Sequence, residues 1–290
     1  MRSIAVIATL AAGPAFASAQ SPSPPDERAG DRYELVKSYE TSMKQGEDSS
    51  GSSQGHETLL ERVVAVRPDG LELEYRGPEP VSKKEGVSDW RFPARVFRPT
   101  SGKPQLINQA ELEARLDGWL KKHKIPRAAC GRWGFSWTAV KIECDPQSAV
   151  ETIRSYDLRS PDLREGALHR EEEALTPAAL ALQSTGPEGS TFAVRMEIDP
   201  EAVRRARAES DVVVGEIMGK PVTLEAAAAA RAKERITGTI AVTFVADRTG
   251  KAIRRTKVVK LETLSDGVTQ TDTASETLER RSVSGPNSRR

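Results

Sequence analysis

Aromatic and arginine residues are concentrated in two short segments of this sequence. All four tryptophans fall between positions 90 and 137, in a chain of which only 5% is aromatic. Guanidinium groups beside aromatic rings bind ligands by stacking and by contacts to anionic groups. The alternative is that these rings form the core of a chain that is short of large side chains. The predicted ligand site comprises Trp90, Arg91, Phe92, Arg95, Arg132, Trp133, Phe135 and Trp137.

The residue types that commonly carry catalysis show no pattern that identifies a reaction. His56, His123 and His169 are far apart, and none belongs to a paired metal motif. No nucleophile elbow, P-loop or dinucleotide fingerprint occurs. The carboxylate run Glu171–Glu173 is typical of a solvated face. The sequence therefore predicts no catalytic residue, no metal ligand and no cofactor. It favours a non-enzymatic protein, with a secreted hydrolase using carboxylate or histidine acid–base chemistry as the alternative.

The first nineteen residues have the pattern of a cleavable signal peptide. Arg2 precedes an apolar run from Ile4 to Ala12, and the small residues Ala17 and Ala19 fit a cleavage site. The run is shorter than the roughly 20 apolar residues of a membrane-spanning helix. We expect cleavage after Ala19, with Ala17 as the second choice and a short hydrophobic N-terminal helix as the alternative. The mature protein is then periplasmic or secreted and has no membrane span.

The only two cysteines, Cys130 and Cys144, lie close together in a chain that is predicted to be exported. A single pair in an oxidising compartment predicts a disulfide bond. Closing so short a loop stabilises a fold by about 3 kcal/mol in the chain-entropy description. A pair without nearby histidine or further cysteine lacks the spacing of a zinc site.

Charge and length set the domain organisation and exclude one class of partner. The chain has 43 basic and 42 acidic residues, and 37% of its 290 residues are hydrophobic. Because there is no cationic excess, we expect no nucleic-acid partner. We expect a flexible linker at 20–31, a single domain at 32–282 and a disordered tail at 283–290. Two subdomains that meet near 160–190 are the alternative.

Two hairpins are predicted from alternating apolar residues around turn residues. Leu60–Val66 and Leu71–Tyr75 flank a Pro-Asp-Gly turn, and a Gly- and Ser-rich loop at Gly46–Gly55 precedes them. Thr239–Ala246 and Ala252–Leu264 flank the second turn.

Two further segments are predicted to be exposed strands that a protein partner can pair with. Pro93 lacks a backbone N–H, which favours an edge strand at Trp90–Arg98. The polar, Thr-rich residues 268–280 predict a last, exposed strand. An unpaired strand edge is a template for pairing with another chain.

Helix starts are marked by capping residues. A helix over Asn108–Lys122 is predicted because Asn108 is a good N-cap, Glu111 follows three residues later, and leucines recur at helical spacing. The Asp-Pro pairs at 145–146 and 199–200 predict two more helices, and Thr223 predicts a cap for an alanine-rich fourth.

The order of these elements predicts an α+β fold, with a curved, largely antiparallel β-sheet and three or four helices packed on one face. Tyr33–Tyr75, the helix Asn108–Lys122 and the hairpin Ile240–Leu261 resemble, in their order, the half-barrel of periplasmic lipoprotein carriers. In that family a bent sheet plugged by helices shelters an acyl chain. The resemblance implies a lipid or other apolar ligand, but it has no motif that transfers a functional residue. We therefore expect an exported, non-catalytic envelope protein that binds an apolar ligand or an envelope protein partner.

Overall fold

The computed structural model describes residues 27–46, 49–78, 89–135, 139–159 and 161–283. The predicted signal peptide, Trp137, and most of the predicted linker and tail lie outside these ranges. Their interpretation therefore stays a prediction, as do the domain boundaries. Glu27, which belongs to the predicted linker, is already buried.

Within the described ranges the chain forms strands along most of its length and helices in its middle. The strands are β1 (Arg32–Gln45), β2 (Ser49–Arg67), β3 (Gly70–Arg76), β4 (Ala94–Pro99), β5 (Gln105–Leu106), β6 (Trp133–Phe135), β7 (Ala139–Lys141), β8 (Leu168–His169), β9 (Ala178–Ala179), β10 (Ala181–Gly186), β11 (Gly189–Glu197), β12 (Arg235–Ala246), β13 (Ala252–Ser265) and β14 (Val268–Ser282). The helices are α1 (Gln109–His123), α2 (Ser148–Arg154), α3 (Pro200–Ile217) and α4 (Leu224–Arg231), with a 3₁₀ turn at Arg127–Ala129.

Ten strands form one antiparallel sheet in the order β10-β11-β12-β13-β14-β1-β2-β3-β4-β5. Its centre is the pairing of β1 with β14, which joins Tyr33 to Ser282 and Gln45 to Gln270. The prediction of an exposed edge strand at 268–280 was therefore wrong. The partner of β14 on this side lies more than two hundred residues away in sequence, so no local pattern indicates it.

The prediction of an edge strand at Trp90–Arg98 was also wrong. The strand begins only at Ala94, and β4 is followed by the two-residue strand β5, so it is not the last strand of the sheet. The edges that the structure shows are β5 and β10.

Both apolar clusters of the protein lie on the same face of this sheet. Alternate residues of a strand point to opposite faces, so direct cross-strand partners share a face. The row from Val242 on β12 runs through Lys257, Glu276 and Tyr39 to Gly55 on β2. Val63, on the same face of β2 as Gly55, pairs with Leu73 on β3, which pairs with Val96 on β4. The first cluster packs α1 and α2 against β1–β4, and the second packs α3 against β11 and β12. We call this side the inner face. The helix α4 packs on α3, and the predicted α+β fold with helices on one face is confirmed.

The predictions agree with the structure where a turn or a helix-capping residue determines the local backbone conformation. Both hairpins are confirmed as β2–β3 and β12–β13. Asp199 caps α3 by accepting from Glu201 N, and Thr223 Oγ1 accepts from Ala226 N at the start of α4. The helix predicted at Asn108–Lys122 is confirmed as α1, but the Asn108 side chain does not cap it. Instead the Asn108 amide oxygen accepts from Arg95 N at 2.8 Å and ties the helix to β4.

The loop predicted at Gly46–Gly55 is a strand for most of its length, because residues 49–55 pair with β1. Backbone pairing outweighs the weak strand preference of Gly and Ser here. Gly55 also has a steric role, since a Cβ atom there would lie 2.3 Å from the Tyr39 hydroxyl oxygen. The glycine therefore makes room for the Tyr39 ring on the neighbouring strand.

The disulfide prediction is confirmed. Cys130 and Cys144 are bonded, with their Cα atoms 5.6 Å apart, and they flank the small two-stranded sheet of β6 and β7. Both cysteines pack against the first apolar cluster. The disulfide therefore joins the two ends of the segment between α1 and α2 that contains β6 and β7.

Candidate ligand-binding site

A row of directly paired residues crosses the inner face between the two apolar clusters. Phe244, Arg255 and Leu278 are neighbours on β12, β13 and β14. The row continues through Lys37 on β1 to Glu57 on β2. The middle of the inner face therefore carries charged side chains beside apolar ones, whereas its two ends are apolar.

A cleft of about 800 Å³ lies over this row, between the sheet and the 161–180 segment. Its apolar wall includes the buried side chains Phe244, Leu278 and Leu180, which belong to the two different clusters. Leu168, which is 76% exposed, also lines it. We call this the central cleft. Its charged lining comprises Arg154, Asp157, Asp162, Arg170, Glu171, Glu172, Glu173, Arg255, Lys257 and Glu276.

Glu171 fastens the 161–180 segment to the sheet. Its carboxylate accepts from Arg255 at 2.7 Å, and the Lys257 Nζ atom lies 3.0 Å away. His169 Nε2 lies 2.8 Å from Glu171 Oε1, and the His169 ring meets Phe244 edge-on with centroids 5.2 Å apart. The interpretation of Glu171–Glu173 as a solvated face was thus wrong for Glu171, which is buried, and holds for the exposed Glu172.

The pKa shifts in the central cleft favour the charged forms of its residues. Burial would raise the pKa of Glu171, but His169, Arg255 and Lys257 outweigh it and place that pKa well below its usual range. Burial would lower the pKa of Lys257, but hydrogen bonds to Glu173 and Glu171 outweigh it and raise that pKa. General acid–base catalysis needs groups that titrate near the working pH, and these shifts move both groups away from it.

Ser155, which carries the hydroxyl group among the described residues that line the central cleft, is also engaged elsewhere. Ser155 Oγ donates to the Thr152 carbonyl oxygen at 2.8 Å and accepts from Lys37 Nζ at 2.8 Å. The base of a nucleophilic serine must accept the proton of its hydroxyl. Because that proton is given to a backbone carbonyl, Ser155 and His169 do not form a nucleophile–base pair in this structure.

A second cleft, of about 510 Å³, borders the central cleft at Pro161, which lines both. Among the residues that the structure describes, its lining includes three arginines, a lysine and one carboxylate. We call it the cationic cleft, and these charged residues are Arg98, Arg159, Lys251, Arg280 and Glu27.

A buried carboxylate holds two of these arginines. Arg159 donates to Glu61 through two hydrogen bonds of 2.6 Å, and Arg280 donates to it at 2.9 Å. The Tyr75 hydroxyl donates to Glu61 at 2.8 Å. Burial would raise the pKa of Glu61, but the two guanidinium groups outweigh it and lower that pKa to about 2. Glu61 is thus charged at neutral pH although its side chain is fully buried.

Glu27 bridges the same two arginines from the start of the described chain. Its Oε1 atom accepts from Arg280 at 2.6 Å and from Arg159 at 3.0 Å. The Arg280 guanidinium also stacks 3.3 Å over the Tyr33 ring. The folded part therefore includes residues at the end of the predicted linker. In the part of the chain that the structure describes, Arg159 Nε has no hydrogen-bond partner.

The residues predicted as an aromatic and arginine site are spread over different surroundings. Trp90 is buried in the first apolar cluster and Phe92 packs against it. Arg95 lies on the opposite face of β4, where it pairs with Glu72. Arg91 pairs with Asp89 and donates to Thr152 Oγ1 at 2.9 Å on α2.

The remaining members of that prediction lie around the small sheet. Arg132 is exposed, Trp133 is half-buried in β6, and Phe135 ends the same strand. The structure separates Arg95 from Trp90, because the two lie on opposite sides of the sheet. A ligand role for the other residues stays a prediction.

The sequence reasoning missed the residues of both clefts. One signal was present on β13. Val259 and Leu261 point to the inner face, and the same alternation places Arg255 and Lys257 on that face. Cations at positions where a strand should be apolar indicate that the covering segment supplies carboxylates.

Two negative findings apply to the described ranges. No group of three or more His, Cys, Asp or Glu side chains there is placed to hold a metal ion. None of the helices α1–α4 is long and apolar enough to cross a membrane.

Comparisons with known proteins establish no family for this chain. No protein-family model matches it, and no curated protein matches it. Among solved structures, lipovitellin, studied for its lipid–protein interactions, aligns with 90% of this chain at a TM-score of 0.38 and 9% identity. The chain spans 26% of that protein's length. Ail, the attachment invasion locus protein of Yersinia pestis, aligns with 87% of this chain and 99% of its own at a TM-score of 0.18 and 5% identity.

Proposed function

We propose that this protein is an exported, non-catalytic binding protein that holds an amphiphilic ligand in the central cleft. The observation that carries the proposal is the position of this cleft. The inner face is packed by helices at both ends, but between the two apolar clusters it leaves about 800 Å³ beside Phe244, Leu278 and Leu180. Ligand pockets for small molecules span roughly 300–1,000 Å³ and combine apolar walls with a few polar groups.

In this proposal the binding free energy comes mainly from the apolar surface of the ligand leaving water, because Phe244, Leu278 and Leu180 are already buried and Leu168 is an exposed apolar residue of the wall. Each methylene group transferred from water to such a wall contributes about 0.8 kcal/mol, so a single alkyl chain gains affinity steeply with its length. The charged residues that stand on the sheet or reach it from the covering segment are paired with one another, and they keep these partners when a chain covers them: Glu171, Glu173, Arg255, Lys257 and Glu276. The disulfide supports export, because such bonds persist in oxidising compartments.

A hydrolase is less well supported by the same cleft. His169 and Glu171 are adjacent, as acid–base chemistry would need. However, the pKa of Glu171 is low because the carboxylate is paired with cations, and Ser155 gives its proton to a backbone carbonyl. The cluster therefore serves to hold the 161–180 segment.

A protein partner is the second candidate, and β10 favours it. All residues of β10 (Ala181–Gly186) are exposed, it is an edge of the large sheet, and it contains no charged residue. Such edges are open to strand pairing. In-cell cross-linking compared between the wild type and Leu182→Lys tests this candidate, because a lysine on the edge disfavours pairing.

The test of the proposed function is a titration with the neutral fluorescent probe N-phenyl-1-naphthylamine. The wild type should bind it with a fluorescence increase that saturates at one probe per chain. Leu168→Gln, at an exposed apolar position of the cleft, should weaken binding several-fold. Leu175→Gln is the matched control, because Leu175 is also exposed but does not line the cleft. Absence of saturable binding to the wild type, or equal effects of the two variants, would overturn the proposal.

A further inference from the structure

We propose that part of β2 pairs with the same part of a second copy of this chain, in an antiparallel arrangement whose two-fold axis passes through Ser53. The proposal concerns assembly and is independent of the ligand of the central cleft. It adds a homodimer in which the large sheets of two copies become continuous. The surface that carries it is the stretch of β2 from Ser49 to Glu57, which we call the β2 edge.

β2 lies inside the strand order of the sheet, but β3 covers only part of its length. The register of β2 with β3 runs from Leu60 to Arg67, whereas the register with β1 reaches back to Ser49. No strand of the described ranges therefore pairs with the β2 edge on the side away from β1. Every residue of the β2 edge except Gly55 is exposed.

The backbone groups of the β2 edge point in the direction that such pairing needs. Val63 N donates to Asp31 O at 2.9 Å and Val63 O accepts from Gly30 N at 2.8 Å, so the backbone of this odd-numbered residue faces the β1 side. Backbone groups of successive strand residues alternate in direction. The N–H and C=O groups that face the open side therefore belong to the even-numbered residues, and an unpaired row of this kind is a template for another strand. These residues are Ser50, Ser52, Gln54 and His56.

Two large side chains of β1 extend over β2 toward this open side. Tyr39 and Met43 are the cross-strand partners of Gly55 and Gly51. A Cβ atom on Gly55 would lie 2.3 Å from the Tyr39 hydroxyl oxygen, and one on Gly51 would lie 3.9 Å from the Met43 methyl carbon. Both side chains thus lie over glycines, and they stay 40% and 39% exposed. A strand added at the β2 edge would cover them.

A second copy supplies the complement of this surface. With the two-fold axis at Ser53, Gly55 lies opposite the partner's Gly51. Odd-numbered residues form the close, non-hydrogen-bonded pairs of this arrangement, with Cα atoms about 4.5 Å apart. The end of the Tyr39 side chain therefore comes beside the partner's Met43, and a thioether beside an aromatic ring is a favourable contact. The symmetry repeats this contact on the other side of the axis.

No like charges face each other across the axis in this register. His56 lies opposite the partner's Ser50. Glu57 lies opposite the partner's Ser49, and the other residues of the β2 edge are uncharged. The paired stretch 49–57 is shorter than the roughly 20–30 residues a side of a standard interface, and it ends before β3 begins to pair at Leu60. We therefore expect a weak dimer, with a dissociation constant in the micromolar range.

Sedimentation velocity of the purified protein between about 1 and 100 µM tests the association, since this range suits a weak interface. The wild type should change from monomer to dimer across it. Ser53→Glu places two carboxylates at the axis and should raise the dissociation constant at least about tenfold, because like charges that face each other are repelled. Ser53→Lys should do the same. An equimolar mixture of Ser53→Glu and Ser53→Lys should form a heterodimer about as readily as the wild type dimerises.

Ser42→Glu is the matched control. Ser42 is exposed on β1, whose two sides are already taken by β14 and β2, so this variant should leave the dissociation constant unchanged. Circular dichroism and thermal unfolding confirm that each variant is folded. A wild type that stays monomeric over the whole range overturns the dimer. A dimer that survives Ser53→Glu, or that only Leu182→Lys on β10 abolishes, overturns its assignment to the β2 edge. Two Ser53 variants that fail to associate when mixed overturn the two-fold axis at Ser53.

Discussion

Arg255 and Leu278 are direct partners in the register of β13 and β14 on the inner face of the sheet. A cation thus stands beside an apolar side chain where two clusters of the core meet. The cation is held by Glu171 from the covering segment, and the apolar side chain is left to line the central cleft. Under the proposed function, this combination lets an alkyl chain cover the wall while Arg255 keeps its carboxylate partner.

Glu171→Gln should destabilise the protein by about 2–3 kcal/mol. Breaking a buried ion pair costs about 3–5 kcal/mol, and Arg255 and Lys257 are partly exposed, which lowers the effect. The measurement is urea unfolding at neutral pH. The neighbouring variant Glu172→Gln, at an exposed position, should change the free energy of unfolding by less than about 0.5 kcal/mol. Equal effects of the two variants would show that Glu171 does not hold the segment.

Glu61→Gln should destabilise the protein by about 3–5 kcal/mol, because it leaves Arg159 and Arg280 without their buried carboxylate. Glu40→Gln, at an exposed position of β1, is the control. If the two variants unfold at the same urea concentration, the buried cluster contributes nothing to stability.

The stability of the wild type should fall in acid, with a contribution from Glu61. Its pKa is about 2 in the folded protein and 4.5 ordinarily. A lowered folded pKa means that the stabilisation is complete above pH 4.5 and is lost as the pH falls toward 2. The shift corresponds to about 3 kcal/mol. Urea unfolding between pH 2.5 and 7 should show that the free energy of unfolding depends less on pH in Glu61→Gln than in the wild type. The pH dependence that remains comes partly from Glu171, whose pKa is also lowered.

Reduction of the disulfide should lower the melting temperature. The bond closes a loop with a sequence separation of 14, which is worth about 3 kcal/mol, or roughly 5–10 °C for a domain of this size. Thermal unfolding with and without a reductant measures it, and a Cys130→Ala, Cys144→Ala double variant should not respond to the reductant. Two reactive thiols in the native, unreduced protein would contradict the disulfide.

What the sequence could predict was local. The turn residues of the two hairpins, the Asp199 and Thr223 caps and the close spacing of Cys130 and Cys144 act over a few residues, so the pattern and the structure agree. The pairing of β1 with β14 could not be predicted, because backbone hydrogen bonds between distant strands leave no trace in either segment alone.

The candidate site was invisible for the same reason. Phe244, Leu278 and Glu171 come from three distant segments, and each is unremarkable within its own. Trp90, a member of the predicted aromatic site, instead lies in the core. This agrees with the alternative interpretation, in which the rings form the core of the protein. A concentration of aromatic residues indicates where large side chains are, and the register of the sheet decides what they face.

Photo-cross-linking with a fatty acid that carries a diazirine in its tail shows whether a ligand occupies the central cleft. We expect cross-links, located by peptide mass spectrometry, in the 161–180 segment and around Leu278 on β14. An excess of unlabelled dodecanoate should suppress them. Cross-links confined to the opposite face of the sheet, at residues such as Thr256 and Thr277, or labelling that the competitor does not reduce, would contradict it.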